Sequence, residues 1–264
     1  MDERGLRIDD TNRFSATRFK RLVILVHGFN VSDEDATQAY RQHLRALRIA
    51  MAYREPKRLG EFIGFHWPGD HPDPLLSKLT FAARPPDAIR SGERLVEYLE
   101  EIKPQPEVVI IAHSLGCLVA LAALNRISTK ARRVGYLPPR ITHLFLMAPA
   151  VQIDACRNTG AYAARICDER IFFSDKDRTL EKVFKLGGYL YDGVKSDAVG
   201  YLGLPTWGRW SWRYREQLDH GEYWSSTRVA GDIVDCLLAK PSLELPEMAP
   251  SPEHRLPSHP GPHG

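Results

Sequence analysis

No stretch of the sequence approaches the roughly 20 consecutive apolar residues that a membrane-spanning helix needs, so a membrane span is not expected. The opening Met1-Asp2-Glu3-Arg4-Gly5 has no apolar run and does not read as a secretory leader. Cysteine is scarce: Cys117, Cys156, Cys167 and Cys236 form no CxxC pair, and no His/Cys cluster has zinc-site spacing. No metal and no other cofactor is therefore expected. Free thiols in a domain large enough to need no staples suit a reducing compartment, and a cytoplasmic location is the expectation. An excess of one charge is also missing. The 36 Lys and Arg are interspersed with 33 Asp and Glu, a net charge of +3, which offers no basic face for nucleic acid. The densest basic stretch, Arg18 to Arg21, runs straight into an apolar strand and reads as its solvated lead-in. There is no internal repeat.

What remains is an ordinary globular composition, 43% hydrophobic and 26% charged, over 264 residues, enough for one α/β domain. Residues 1–18 read as a polar lead-in, 19–241 as the domain, and 242–264 as a proline-rich disordered tail. Leu22 to Val26 is a continuous apolar run, as in a strand buried on both faces. Ser32 followed by Asp33, Glu34 and Asp35 marks a helix start, and Ala36, Tyr40, Leu44, Leu47 and Met51 recur at helical spacing. Further strands are predicted at Phe62–Phe65, Val108–Ala112, Ile141–Met147, Arg170–Phe173 and near Trp210–Tyr214. Helices are predicted from the stripe Ile89, Leu95, Val96, Leu99, Ile102, from Leu118, Val119, Leu121 and Leu124, and over about Trp224 to Leu238, with a proline-rich loop at 70–86. Alternating strands and helices predict an α/β fold: a mostly parallel sheet of at least six strands with helices on both faces.

The third strand feeds directly into Ala112-His113-Ser114-Leu115-Gly116, a G-x-S-x-G-like sequence with Ala in first place. Such a sharp strand-to-helix turn strains the central residue so that its hydroxyl projects from the sheet edge. It also forces small residues two positions either side. The helix that follows turns backbone N–H groups, that of Leu115 first, toward charge developing at Ser114. The first strand ends in His27-Gly28-Phe29-Asn30, and the second in Trp67-Pro68-Gly69. A base for Ser114 is found by elimination among the histidines that follow it in the chain. His143 lies inside a predicted strand and reads as a packed residue; His254, His259 and His263 lie in the tail; His220, just before the last helix, remains.

With these marks, over residues 20–240, the chain resembles the α/β-hydrolase superfamily, and within it an esterase-like bacterial group with an HGFN turn and a Trp-Pro after the next strand. The resemblance implies the chain order serine, acid, histidine. Its Ser-x-x-Asp pattern matches Ser174 and Asp177, with Asp175 as runner-up and Asp154 a distant third. It implies an oxyanion hole completed by the Phe29 N–H beside that of Leu115. The expected chemistry is a serine hydrolase acting on a carboxylic ester or thioester, with Ser114 as nucleophile, His220 as base and Asp177 orienting it. A peptidase or acyltransferase on the same three residues is the alternative, as is a non-catalytic ligand-binding protein of the same fold. The expected partner is a small-molecule acyl substrate; oligomeric state is not legible. Trp67 and His113 are candidate pocket-lining residues, and His27 reads as a holder of its loop. Tyr189, Tyr191, Tyr201, Trp207, Trp210 and Trp212 form an aromatic cluster that reads as either pocket wall or core. Residues 151–168 and 186–206 are candidate short caps.

Overall fold

The computed structural model describes residues 20–52, 59–69, 84–103, 105–131, 133–152, 168–184, 197–203 and 212–239. The polar lead-in, most of the 70–86 loop, Asp154, Cys156, Cys167, Tyr189, Tyr191, Trp207, Trp210, most of both candidate caps and the tail lie outside the described residues.

Among the described residues six strands form one sheet: β1 (Arg21–Val26), β2 (Glu61–Phe65), β3 (Glu107–His113), β4 (Arg140–Met147), β5 (Asp168–Phe173) and β6 (Trp212–Arg215). Their spatial order is β2-β1-β3-β4-β5-β6, and every pairing is parallel. The continuous runs of Val, Ile and Leu belong to two interior strands, β1 and β3. Leu22 to Val26 and Val108 to Ala112 are buried along their length, as strands covered on both faces must be.

Among the described residues, four helices of 12 or more residues cover the sheet: α1 (Asp33–Met51), α2 (Pro85–Glu101), α3 (Gly116–Lys130) and α4 (Thr227–Leu238). Ser32 caps α1, its hydroxyl accepting from the Asp35 N–H at 3.1 Å, and Ser226 caps α4 likewise through Val229 at 3.2 Å. The chain steps from β1 to β2 in one direction, then back across β1 to β3. Right-handed crossovers therefore put α1 on one face and α2 and α3 on the other. The packing agrees: α1 lies against α4, and α2 against α3.

This reversal has a consequence for function. The carboxyl ends of β1 and β3, neighbours whose outgoing connections leave in opposite directions, flank a crevice, the usual ligand position in such sheets. His27 and Gly28 follow one of these ends and Ser114 the other. Two sequence expectations need adjustment. Ile89 is 44% exposed, because α2 buries Ala88, Ser91 and Gly92 beside Leu95, Val96 and Leu99. His143 is in β4 as expected but only half-buried, stacked on Phe145.

Candidate active site

Ser114 stands at the junction of β3 and α3 with φ at 54°, in the left-handed region that costs an ordinary residue about 1–2 kcal/mol. The surroundings hold it there. Its N–H donates to the Met147 carbonyl at 3.0 Å, and its carbonyl accepts from Ala150 and Cys117, both at 3.1 Å. The small flanking residues have a steric cause. A Cβ on Gly116 would strike the His27 carbonyl and come within 2.8 Å of that of Val26, so α3 can start there only with glycine.

The Ser114 hydroxyl lies 2.8 Å from Nε2 of His220. The other ring nitrogen, Nδ1, lies 2.7 Å from Oδ2 of Asp177. A carboxylate only accepts, so Nδ1 carries the proton and Nε2 is left to accept from Ser114. Asp177 is fully buried, and its second oxygen accepts from the Leu180 N–H at 2.9 Å. Asp175 is exposed and pairs instead with Arg215, whose hydrogen bond and charge hold its carboxyl below the usual range. Ser114, His220 and Asp177, 43 to 106 residues apart in sequence, thus form one hydrogen-bonded chain.

The turn after β1 presses on this chain. A Cβ on Gly28 would sit 2.8 Å from the Cβ of Ser114. Phe29 follows, partly buried against the core, and Leu115 is the first residue beyond Ser114. The two backbone N–H groups implied for an oxyanion hole therefore belong to segments that meet at Ser114.

His27 is buried and turned inward. Its Nδ1–H donates to the Gly28 carbonyl at 2.9 Å, and its Nε2 accepts from the Trp67 N–H at 3.2 Å. Burial pushes its pKa down to about 4, so the ring stays neutral. The Trp67 indole N–H donates to the His27 carbonyl at 2.8 Å, and the two rings stack at 5.7 Å. Asn30, at φ 56°, donates to the Gly69 carbonyl at 2.7 Å. The HGFN turn and the Trp-Pro-Gly segment are therefore one hydrogen-bonded unit. Trp67 is 3% exposed, with its N–H and one face committed to His27.

Tyr40 completes the unit. Its hydroxyl accepts from the His27 N–H and donates to the Phe65 carbonyl, both at 2.9 Å, tying the ends of β1 and β2 together. Sequence reasoning took Tyr40 only as part of the apolar stripe of α1, because helical spacing reports a buried face and not a hydroxyl partner.

His113, the other candidate for lining a pocket, is the last residue of β3. It is 6% exposed, and its Nε2–H donates to the His220 carbonyl at 2.8 Å. Burial first, and the neighbouring His220 second, push its pKa down to about 3. Tyr201 is half-buried against the core. Among the described residues no group of three His, Cys, Asp or Glu could hold a metal ion, and no helix is long and apolar enough to cross a membrane.

No curated protein matches the sequence. The chain is similar to several solved structures. Est1E from Butyrivibrio proteoclasticus, with ferulic acid bound, is 12% identical with a TM-score of 0.43, covering 83% of this chain and 90% of that one. A cold-adapted esterase from an Arctic intertidal metagenomic library is 12% identical with a TM-score of 0.44, covering 83% of each chain. The monoacylglycerol lipase of Paleococcus ferrophilus is 13% identical with a TM-score of 0.44, covering 82% of this chain and 93% of that one. No reaction or substrate is read from likeness at this level. The decisive match is to a family model that spans residues 8–189, more than half of the chain, and includes both Ser114 and Asp177. Together with the six-stranded parallel sheet, it establishes that the chain belongs to a family of alpha/beta hydrolases of unknown function (DUF900).

Proposed function

We propose that the protein is a serine hydrolase that cleaves a carboxylic ester or thioester through an acyl-enzyme on Ser114. The observation that carries this reading is the continuous chain from Ser114 Oγ to His220 Nε2 at 2.8 Å and from His220 Nδ1 to Asp177 Oδ2 at 2.7 Å. A binding protein of this fold has no need to bury a carboxylate behind an imidazole and aim that imidazole at a strained serine.

In this reading Ser114 Oγ attacks the acyl carbon while its proton passes to His220 Nε2. Asp177, accepting from Nδ1–H, fixes the tautomer and stabilises the imidazolium. The oxyanion is held by the backbone N–H groups of Leu115 and Phe29. The imidazolium gives its proton to the departing alkoxide or thiolate. A water, deprotonated by the same nitrogen, then releases the acid and restores Ser114.

The test is a panel of aryl and alkyl esters and acyl thioesters of graded chain length, assayed with wild type, Ser114→Ala and His220→Ala. Turnover of at least one ester or thioester that both variants lose supports the reading. Equal turnover by Ser114→Ala and wild type rejects it.

A further inference from the structure

His220 is carried by a stretch without regular structure, residues 216–221, between β6 and the short helical turn Glu222–Trp224. Most of the hydrogen bonds of this turn are internal. The His220 N–H donates to Asp219 Oδ1 at 2.9 Å, the Asp219 N–H to Glu222 Oε2 at 2.7 Å, and the Glu222 N–H to the Asp219 carbonyl at 3.1 Å. These bonds shape the turn but do not attach it to the sheet. Among the described residues, the main chain of 219–222 has one hydrogen bond to a distant element. It is the bond from His113 Nε2–H to the His220 carbonyl at 2.8 Å, spanning 107 residues. The His113 ring also fills the space beneath the turn, 4.9 Å from the His220 ring, 6.0 Å from Tyr223 and 5.6 Å from Trp224.

We infer that His113 is a positioning residue: by donating Nε2–H to the His220 carbonyl it fixes the main chain of the base relative to the adjacent Ser114. This rests on the proposed roles of Ser114 and His220. The covalent sequence explains the economy. His113 is the last residue of β3, so nucleophile and tether leave the same rigid strand end, and movement of one carries the other. His113 is also suited to standing beside a base. Burial and its neighbour disfavour a charge on its own ring, so the proton taken from Ser114 stays on His220. A misplacement of about 1 Å between reacting groups can cost about a hundredfold in rate, so a tether at this point acts on the chemical step rather than on substrate affinity.

The experiment measures fluorophosphonate labelling over a range of probe concentrations, separating the maximal inactivation rate from the half-saturating concentration. The proteins are wild type, His113→Gln, His113→Met and His113→Asn, below their melting temperatures. Gln places an amide N–H near the position of Nε2; Met fills the volume without a donor; Asn has a donor that falls short. The expected result is a maximal rate lowered about 10- to 100-fold in His113→Met and His113→Asn, an unchanged half-saturating concentration, and recovery to within about threefold of wild type in His113→Gln. A purely structural role would move melting temperature without this division. If His113→Met does not fold, the Gln and Asn pair decides. Equal rates in His113→Asn and wild type, or equally slow rates in His113→Gln and His113→Asn, overturn the inference while labelling of the wild type at Ser114 leaves the hydrolase reading standing. A wild type that does not label at Ser114 overturns both.

Discussion

Gly28 lies against Ser114, so close that a Cβ on it would stand 2.8 Å from the serine Cβ and 3.3 Å from its hydroxyl. The contact is with the side chain that the proposed reaction uses, so glycine here serves chemistry more than backbone conformation. Gly28→Ala is expected to lower ester turnover about a hundredfold or more, since the methyl displaces either Ser114 or the turn bearing Phe29. The overpacking should cost about 1–3 kcal/mol of stability. Steady-state kinetics beside urea unfolding checks both; turnover equal to wild type would contradict the placement.

Trp67 should behave as a support. Trp67→Phe removes the indole N–H that the His27 carbonyl accepts from at 2.8 Å, leaving a buried acceptor unpaired. The expected loss is about 1–3 kcal/mol of stability. A lowered kcat should accompany it as the turn loosens, without the change in substrate chain-length preference that a pocket wall would produce. Melting curves and an ester chain-length series check it.

Asp177 and Asp175 should separate cleanly. Asp177→Asn keeps an oxygen able to cap Leu180 but offers the wrong group to His220 Nδ1–H, and turnover should fall by roughly three to four orders of magnitude. Asp175→Asn breaks only an exposed pair with Arg215 and should leave turnover and melting temperature nearly unchanged. The reverse pattern in kinetic assays would move the acid to Asp175.

Acid should destabilise the fold through buried imidazoles. Burial, the leading cause in each case, pushes His27 and His43 down to about 4 and His113 down to about 3, against an ordinary value of 6.5. Between these values the unfolded chain binds more protons than the folded one. Stability from this source is therefore fully present above pH 6.5 and falls as pH drops toward the folded values. With three such groups the slope approaches about 4 kcal/mol per pH unit. Urea midpoints at about pH 7 and about pH 5.5 test this, the lower pH giving the lower midpoint. Equal midpoints would mean that the rings are solvated.

Much of the fold was legible because burial leaves a linear trace. Leu22 to Val26 and Val108 to Ala112 are apolar at every position since the sheet is covered on both faces, and Ser32 announces α1 through a bond three residues away. The elbow was legible from its own short spacing, although the carbonyls that require glycine at 116, those of Val26 and His27, lie at the end of β1. What was not legible depends on residues far apart in the chain. The Trp67 bond to His27 spans 40 residues and the His113 bond to His220 spans 107, and nothing in either residue's neighbourhood tells a pocket wall from a strut. The division between Ser174-x-x-Asp177 and Asp175 likewise turns on Arg215, which pairs with Asp175 across 40 residues.

The most direct test of the central claim is fluorophosphonate treatment of the wild type and of Ser114→Ala, read by intact mass and by peptide mapping. The account predicts one adduct on the wild type, mapped to Ser114, and none on the variant. Labelling that persists in Ser114→Ala, or a wild type that stays unlabelled where a known esterase reacts, would contradict it.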